Sequence, residues 1–477
     1  MNNTIIKFLT KKGYNLPSNT EIYDYVGVWE NWYNNNVDFH TYKDNYGTTR
    51  KMYSLGMAKR LSEDWSSIIF TEKDEITTDK KQNKKFLDKI IKKINLRKKL
   101  PEMIETSAWS GTCGCIYRLK NIKVTNGIME ATEDTDYDLI YVSAKNIIPL
   151  RIEHEKIIDV AFVSNITKNS KKLIYIELHQ LTKDGYKISN SFIEADTGEE
   201  IEDKDTIKEY YTQTNIPLFS ILKPPIVNKI ENNLGLGLSI YANAIDQLKA
   251  TDVIYHNFIM DFVLGGKKII YNKKLIKYKT VEYKENGVRK TKEVPIYPDD
   301  ISKQQFMEVG DGLSSDELVH EINPKLRVDE NKEGLQLSLD ILSFMANLGT
   351  KYYEFSGGSV VTATQYAGDR QDLMKNANKY RNNLDEFISD IIKGALLLGR
   401  LVFKEKVDEN CIVSVTNRDG ILVSDEEIKE QYRQEYNMGL MSKRTYLMKI
   451  NNWTEEEALA ELQRIEEENS IKEVSEE

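Results

Sequence analysis

The sequence predicts an α+β fold in which helix outweighs strand. Three observations lead there. From Ser239 onward, apolar residues recur at helical spacing in three long runs. Between Ser107 and about Tyr210 the pattern shortens to strand-length segments cut by Lys183-Asp-Gly185 and Asp196-Thr-Gly198, the signature of turn-linked antiparallel strands. A basic insertion with strand-like runs at Lys267–Asn272 and Leu318–Ile322 separates the first two long helices.

The N-terminal region is rich in aromatics: Tyr23, Tyr25, Trp29, Trp32, Tyr33, Phe39, Tyr42, Tyr46 and Tyr53. Such residues can stack on bases, but packing in cores and interfaces is the stronger reading. Ser54–Phe70 reads as a helix burying Leu55, Ala58, Leu61, Trp65, Ile68 and Ile69. An amphipathic helix follows, with Phe86, Leu87, Ile90, Ile91 and Ile94 inside and lysines on a solvated face. Ala108 to Arg118 is a helix end turning into a strand, with Cys113 and Cys115 as small packing residues. Strands are predicted at Asp138–Val142, Ile157–Val163, Leu173–Gln180 and Tyr186–Phe192.

Pro217, Pro224 and Pro225 mark an extended passage. Leu234-Gly-Leu-Gly-Leu-Ser239 reads as a flexible lead-in ending in an N-cap serine. The first long helix then runs from Ser239 to about Phe262, stopped by Gly265-Gly266. The second covers roughly Asn331–Lys351 and the third roughly Thr362–Phe403, with Gly394 and Gly399 marking a bend or an end. Phe355-Ser-Gly-Gly-Ser-Val360 links those two as a mobile loop. A strand at Cys411–Thr416 precedes two helices, Asp425–Asn437 and Thr454–Glu468. Between them Met438–Lys443 makes a turn and a short restart, Thr454 and Glu457 form a capping box, and Glu466–Glu477 frays.

A chain of 477 residues exceeds one small core, so about two to four folding units are expected. Hydrophobic content of 40% argues against bulk disorder. The net charge of −9 is unevenly spread: Lys80–Lys99 carries ten basic residues and one acid, Lys267–Lys292 ten and two. Asp425–Glu477 carries fifteen acids and seven bases. Local basic segments on an acidic chain suit contact with a polyanion at chosen places. Three cysteines give no disulfide framework and favour a reducing compartment. No signal peptide and no membrane span are expected, which implies a soluble, intracellular protein.

Chemistry is hard to find. The five histidines, His40, His154, His179, His256 and His320, never fall at metal-ligand spacing, and Cys113-Gly-Cys115 has no second pair to complete a zinc site. No G-x-x-x-x-G-K-[ST] phosphate loop occurs, and Gly237-Leu-Ser239 does not continue as a nucleophile elbow. The expectation is therefore a non-enzyme with no cofactor and no metal. The insertion projects from the far end of a helical hairpin, and exposed strand edges there could accept a partner.

Several stretches together resemble the portal proteins of tailed bacteriophages, SPP1-type branch. They are Trp29-Glu-Asn-Trp-Tyr33, Met57-Ala-Lys-Arg-Leu-Ser-Glu-Asp-Trp65, and Leu234-Gly-Leu-Gly-Leu-Ser-Ile-Tyr-Ala-Asn-Ala-Ile-Asp-Gln-Leu-Lys249. Thr362-Ala-Thr-Gln365, Asn437-Met-Gly-Leu-Met-Ser-Lys443 and Thr454-Glu-Glu-Glu-Ala458 complete the series. The resemblance implies a portal-type subunit: a wing over residues 1–233, stem helices over 234–264 and 329–351, and a clip over 265–328. Residues 352–406 would hold the tunnel loop and long wing helix, and 407–477 the crown and acidic tail.

The resemblance further implies a ring of about twelve copies at a capsid vertex, part of the virion and assembled in the cytoplasm of a bacterial host. Its partners would be non-specific double-stranded DNA, the terminase large subunit, the major capsid and scaffolding proteins, and a head-completion adaptor, with no membrane. Phe355, Ser356, Gly357, Gly358, Ser359 and Val360 would be the loop facing DNA. Lys351, Arg370 and Lys375 are candidates for contacts to its phosphates. Lys267, Lys268, Ile269, Ile270 and Tyr271 would serve docking in the clip. Two other readings remain at this stage, a capsid or tail assembly subunit without a DNA channel and a nucleic-acid enzyme.

Overall fold

The computed structural model describes residues 3–14, 16, 20–43, 47–70, 75–168, 170–203, 206–230, 235–266, 268–272, 278–285, 288–295, 306–309, 319–354, 371–416, 425–451 and 453–476. The helices are α1 (Asn3–Lys11), α2 (Glu21–Tyr33), α3 (Met57–Ile69), α4 (Lys84–Lys93), α5 (Leu96–Ser110), α6 (Ile245–Leu264), α7 (Val328–Met345), α8 (Gln371–Leu401), α9 (Asp425–Asn437), α10 (Lys443–Asn451) and α11 (Glu455–Glu476). Two compact units result. One holds Met1–Val28, Ser62–Ile240 and Gly358–Glu477, the other Trp29–Leu61 and Tyr241–Gly357.

The turn-rich block folds in the first unit as an eight-stranded sheet. Its long central strands are Gly185–Glu194, Lys171–Thr182 and Lys156–Lys168, each antiparallel to the next. Alternation sends Ile174, Ile176 and Leu178 to one face, where Ile5, Phe8 and Leu9 of α1 cover them. On the other face the rings of Phe162, His179 and Phe219 meet edge to face. Glu177 lies buried there, 2.7 Å from Arg118 Nε and 3.0 Å from His179 Nε2. Burial drives its carboxyl toward the neutral form, but His179 and Arg118 outweigh that and hold it below the usual range. Arg118 belongs to a second sheet, Phe219–Leu222, Cys113–Lys120 and Asp136–Ser143, so this ion pair ties the two sheets together.

Helices pack around these sheets largely as periodicity predicts, with boundary shifts. Leu55 precedes α3 and is half-buried, whereas Ala58, Leu61, Trp65, Ile68 and Ile69 are buried. In α4, Phe86, Leu87 and Ile90 face inward and Ile91 is half-buried. Cys113 and Cys115 are buried free thiols, the packing residues their spacing suggested. Arg381 in α8 is 4% exposed and donates to the carbonyls of Ile68 (3.1 Å) and Ile69 (3.4 Å) at the end of α3. Cationic donors at a helix C-terminus are favourable. The helix α8 continues through Gly394 and Gly399 to Leu401. Both glycines permit close approach instead of ending the helix: a Cβ on Gly399 would lie 2.5 Å from Phe86 Cζ.

The glycine-rich lead-in also differs from expectation. Gly237 N donates to Thr112 Oγ1 (2.9 Å), while Ser239 Oγ (3.1 Å) and Ile240 N (2.9 Å) both donate to the Ala108 carbonyl. Ser239 is thus spent on the end of α5 and caps no helix; α6 starts only at Ile245, after Ala244. At the chain's end, Glu457 N donates to Thr454 Oγ1 (3.3 Å) and Thr454 N to Glu457 Oε2 (2.8 Å), completing the predicted capping box. The predicted short restart is a full helix, α10, and the strand Val413–Thr416 pairs with Glu75–Thr78.

Gly237 and Gly111 cross at a distance that leaves no room for a side chain, since a Cβ on Gly237 would sit 2.4 Å from the Gly111 carbonyl oxygen. Gly237→Ala is therefore expected to destabilise the protein by about 1–3 kcal/mol. Gly27→Ala in α2, where nothing lies within 4 Å of the added methyl, should be neutral or stabilising by up to about 1 kcal/mol. Urea-unfolding midpoints of the two variants against the parent check the contrast.

Candidate functional site

The second unit is built on α6 and α7. Gln247 Nε2 donates to Ser338 O and Oγ, both at 3.0 Å, and Thr251 Oγ1 meets Ser338 Oγ at 2.8 Å. At the other end Asp261 accepts from Arg327 Nη2 (2.9 and 3.0 Å) and Asn331 Nδ2 (2.7 Å). Early residues of one helix meet late residues of the other, so the pair is antiparallel. The predicted helical hairpin is present, with different ends. The second helix begins at Val328, where Asp329 and Glu330 complement the positive end of its dipole. It stops at Met345, six residues before the predicted Lys351. Asn347 takes a left-handed conformation (φ 62°), and Leu348 N donates to Ser343 O (2.9 Å) and Asn347 N to Phe344 O (3.1 Å). That is a Schellman ending with asparagine in glycine's usual place. The first helix does stop at Gly265, but φ there is −76°. Leu326 Cδ2 would lie 2.5 Å from a Cβ at Gly265, so close approach explains that glycine better than a left-handed backbone.

His40 and Leu55 are clamped onto α6 through Asp252. His40 Nε2 lies 2.9 Å from Asp252 Oδ2, and Leu55 N donates to Asp252 Oδ1 (2.9 Å). Burial pushes the Asp252 carboxyl up, opposed by the Leu55 amide and His40. Both side chains are shut away from solvent, which suits a structural clamp. The aromatic-rich segment divides. Tyr23, Trp29 and Trp32 are buried, as the packing reading expects, while Tyr25, Phe39, Tyr42 and Tyr53 are exposed. Tyr46 lies outside the described residues.

The insertion carries more strand than its sequence suggested. Lys268–Asn272 is flanked by Val319–Ile322, antiparallel, and by Phe306–Val309, parallel. Tyr278–Glu285 and Val288–Pro295 form a separate hairpin. Lys268, Ile269, Ile270 and Tyr271 thus occupy the central strand of three. Their backbone is already paired on both sides, so strand addition by a partner would have to use an outer strand. Lys267 lies outside the described residues.

The candidate channel residues are only partly described. Lys351 is exposed and left-handed (φ 62°) in the turns that follow α7. Gln336 Nε2 holds those turns by donating to Tyr353 O (2.8 Å). Lys375 is exposed one turn into α8 and lies 3.5 Å from Asp372, so its charge is partly matched within its own helix. Arg370 and the loop Phe355–Val360 lie outside the described residues.

Among the described residues this geometry assembles no reaction centre. Burial pushes the thiols of Cys113 and Cys115 upward, away from the reactive thiolate. Among the described residues no group of three His, Cys, Asp or Glu side chains is placed to hold a metal ion. No helix among them is long and apolar enough to cross a membrane. Sequence reasoning missed Asp252, Arg381 and the 278–295 hairpin. A buried pair leaves no periodic trace, and a hairpin of alternating Lys, Thr and Glu hides its strands.

One consequence is testable at the hairpin's open end. Asn331 first, then Arg327, hold the Asp261 carboxyl below its ordinary range. A depressed acid stabilises the fold above its unfolded value and loses that contribution as pH falls through the folded value. The Asp261 carboxyl signal is expected to titrate below that of an unperturbed aspartate. Asn331→Ala and Arg327→Ala should each raise its midpoint toward the ordinary range, as an NMR titration of the three proteins would check.

Comparison with known proteins completes the site. No curated protein matches the chain. Residues 14–473 match the family described as "Phage portal protein, SPP1 Gp6-like", a span that takes in both units, the hairpin and the insertion. The match covers nearly all of the 477 residues. The chain belongs to the SPP1 Gp6-like phage portal protein family.

Proposed function

We propose a division of labour within the DNA channel that this portal subunit helps to build at a capsid vertex. The subunit is a structural, non-enzymatic component of the virion, in a family whose members form ring homo-oligomers. The observation that carries the reading is the family match over residues 14–473. The antiparallel α6–α7 hairpin with a strand-bearing insertion at its open end agrees with it.

In this division, residues 1–233 act as the wing, and 234–264 and 329–351 as the stem, of which α6 and α7 are the helical parts. Residues 265–328 are the clip, which docks the terminase large subunit during packaging and a head-completion adaptor afterwards. Lys267–Tyr271 contribute to it as the strand at its centre. Residues 352–406 supply the tunnel loop and the long helix α8, and 407–477 the crown. The ring has about twelve copies, meets the major capsid and scaffolding proteins, and assembles in the cytoplasm of a bacterial host.

A translocating duplex presents phosphates at regular close spacing, and it has to be held without sticking. Sparse cations on a wall rich in acids suit that demand. Lys351, Arg370 and Lys375 are the cations assigned to it, with Lys375 weakened by Asp372. The loop Phe355–Val360 touches DNA through small, conformationally permissive residues.

Deleting Gly357 and Gly358 should lower the DNA retained per particle while purified rings still form. Normal DNA content in particles carrying that deletion would remove the loop from the mechanism. Replacing Lys351, Arg370 and Lys375 with alanine should flatten the salt dependence of duplex binding to isolated rings. The log–log slope should fall by about 0.9 for each phosphate that the variant ceases to neutralise. An unchanged slope means these residues do not meet phosphate.

A further inference from the structure

Leu337, Ile341 and Phe344 are 62%, 41% and 66% exposed. Spaced i, i+4 and i+7, they make a single apolar stripe along α7. This is not the surface that α7 turns toward α6, which runs through Ser338 and Asn331. At about 100° per residue, Leu337 leaves the helix roughly a quarter turn away from Ser338. A helix that already buries one face and still presents an apolar stripe of this length is a docking element.

A second exposed patch lies in the same unit. The rings of Tyr42 and Tyr53 flank His256 with centroids at 6.0 and 5.8 Å, and Phe39 stands beside His40. Phe39, Tyr42 and Tyr53 are 36%, 36% and 49% exposed. Asp252 and His256 carry this patch on one flank of α6. Measured from the hydrogen bonds of Ser338, helical rotation directs the α7 stripe to the opposite flank of the two-helix layer. The charges also differ in sign. Exposed Glu330 and Glu333 continue the stripe toward the start of α7, whereas exposed Lys43, Arg50 and Lys51 lie on the ribbon Thr41–Lys43/Thr49–Lys51 beside the aromatics.

We propose that these two surfaces are the two halves of the subunit seam, so that the α7 stripe of one copy docks on the Phe39/Tyr42/Tyr53 patch of the next. A ring closes through a heterologous interface, one face of each copy meeting a different face of its neighbour. Two unlike, sticky surfaces on opposite flanks meet that geometry, where one self-complementary patch would give a dimer. Aromatic anchors supply the hot spot, and the acidic and basic borders set register and exclude like-with-like pairing. The inference rests on the ring homo-oligomer of the family and on no role given to the loop or the insertion.

The full-length chain tests it by light scattering after size exclusion, with negative-stain images. The parent should run as a ring many times the 55.2 kDa subunit. Leu337→Asp with Phe344→Asp should run as single subunits with the parent's helical circular dichroism. A ring of unchanged mass from that variant overturns the seam alone. A parent that stays single at every concentration overturns the ring reading and the seam with it. Should the double variant fail to fold, Phe344→Cys combined with Tyr42→Cys decides the matter. Oxidation should give a ladder of linked copies that neither single variant gives, because the native cysteines are buried; no ladder overturns the proposal.

Discussion

The first unit turns on a contact between two stretches of backbone. Gly111 ends α5 in a left-handed conformation (φ 80°), and the chain returning at Gly237 passes so close that a Cβ at either residue would meet the other's carbonyl oxygen at 2.4 Å. Neighbouring hydrogen bonds lock the crossing, from Gly237 N to Thr112 and from Ser239 and Ile240 to the Ala108 carbonyl. That carbonyl is among the last of α5, where a helix leaves acceptors unsatisfied. The lead-in thus satisfies a helix end and is itself held by it. A segment whose glycines suggest flexibility is fixed, and α6 starts only beyond it, at Ile245.

Elsewhere the interior is held by charges buried only in company. An isolated ion costs several kcal/mol to bury, even after relaxation, so each buried charge needs partners. Glu177 has Arg118 and His179; Asp252 has His40 and the Leu55 amide; Arg381 has the carbonyls of Ile68 and Ile69. Each arrangement joins segments far apart in sequence: two sheets, a ribbon and a helix, two helices. Such joints fix the relative position of the segments they link, in keeping with a structural portal subunit.

How legible these features were follows from their range. Strands were visible because burial on both faces and turn glycines such as Gly185 (φ 91°) are local signals. The helix Asp425–Asn437 and the Thr454–Glu457 box were readable for the same reason. Helix ends set by other segments were not. Ser239 looks like a cap until Ala108 claims it, and apolar spacing through Leu348 extends α7 past its true end because Leu348 is buried by the Schellman turn and not by the helix. In the candidate site the hairpin and its strand-bearing insertion could be read from pattern, whereas Asp252 could not. A single aspartate among apolar neighbours gives no hint that a histidine more than two hundred residues away will meet it.

The basic segments show why charge runs need a structure to be interpreted. In α4 the lysines coat an exposed face, and some find acids nearby: Lys89 lies 3.8 Å from Glu405, and Lys93 pairs with Asp136. That run is largely a solvated surface whose apolar side does the packing. In the insertion the hairpin Tyr278–Glu285/Val288–Pro295 is different. Cross-strand register sets Val281 opposite Lys292 and Tyr283 opposite Lys290, so one face mixes lysine with apolar side chains. Tyr283 and Val288 on that face are 43% and 60% exposed. Two strands alone are marginal in water, and the described side chains of this pair are exposed apart from half-buried Val294. A charge run that forms a paired, solvent-facing ribbon is thus a different object from one that coats a packed helix, and the pairing register is what separates them.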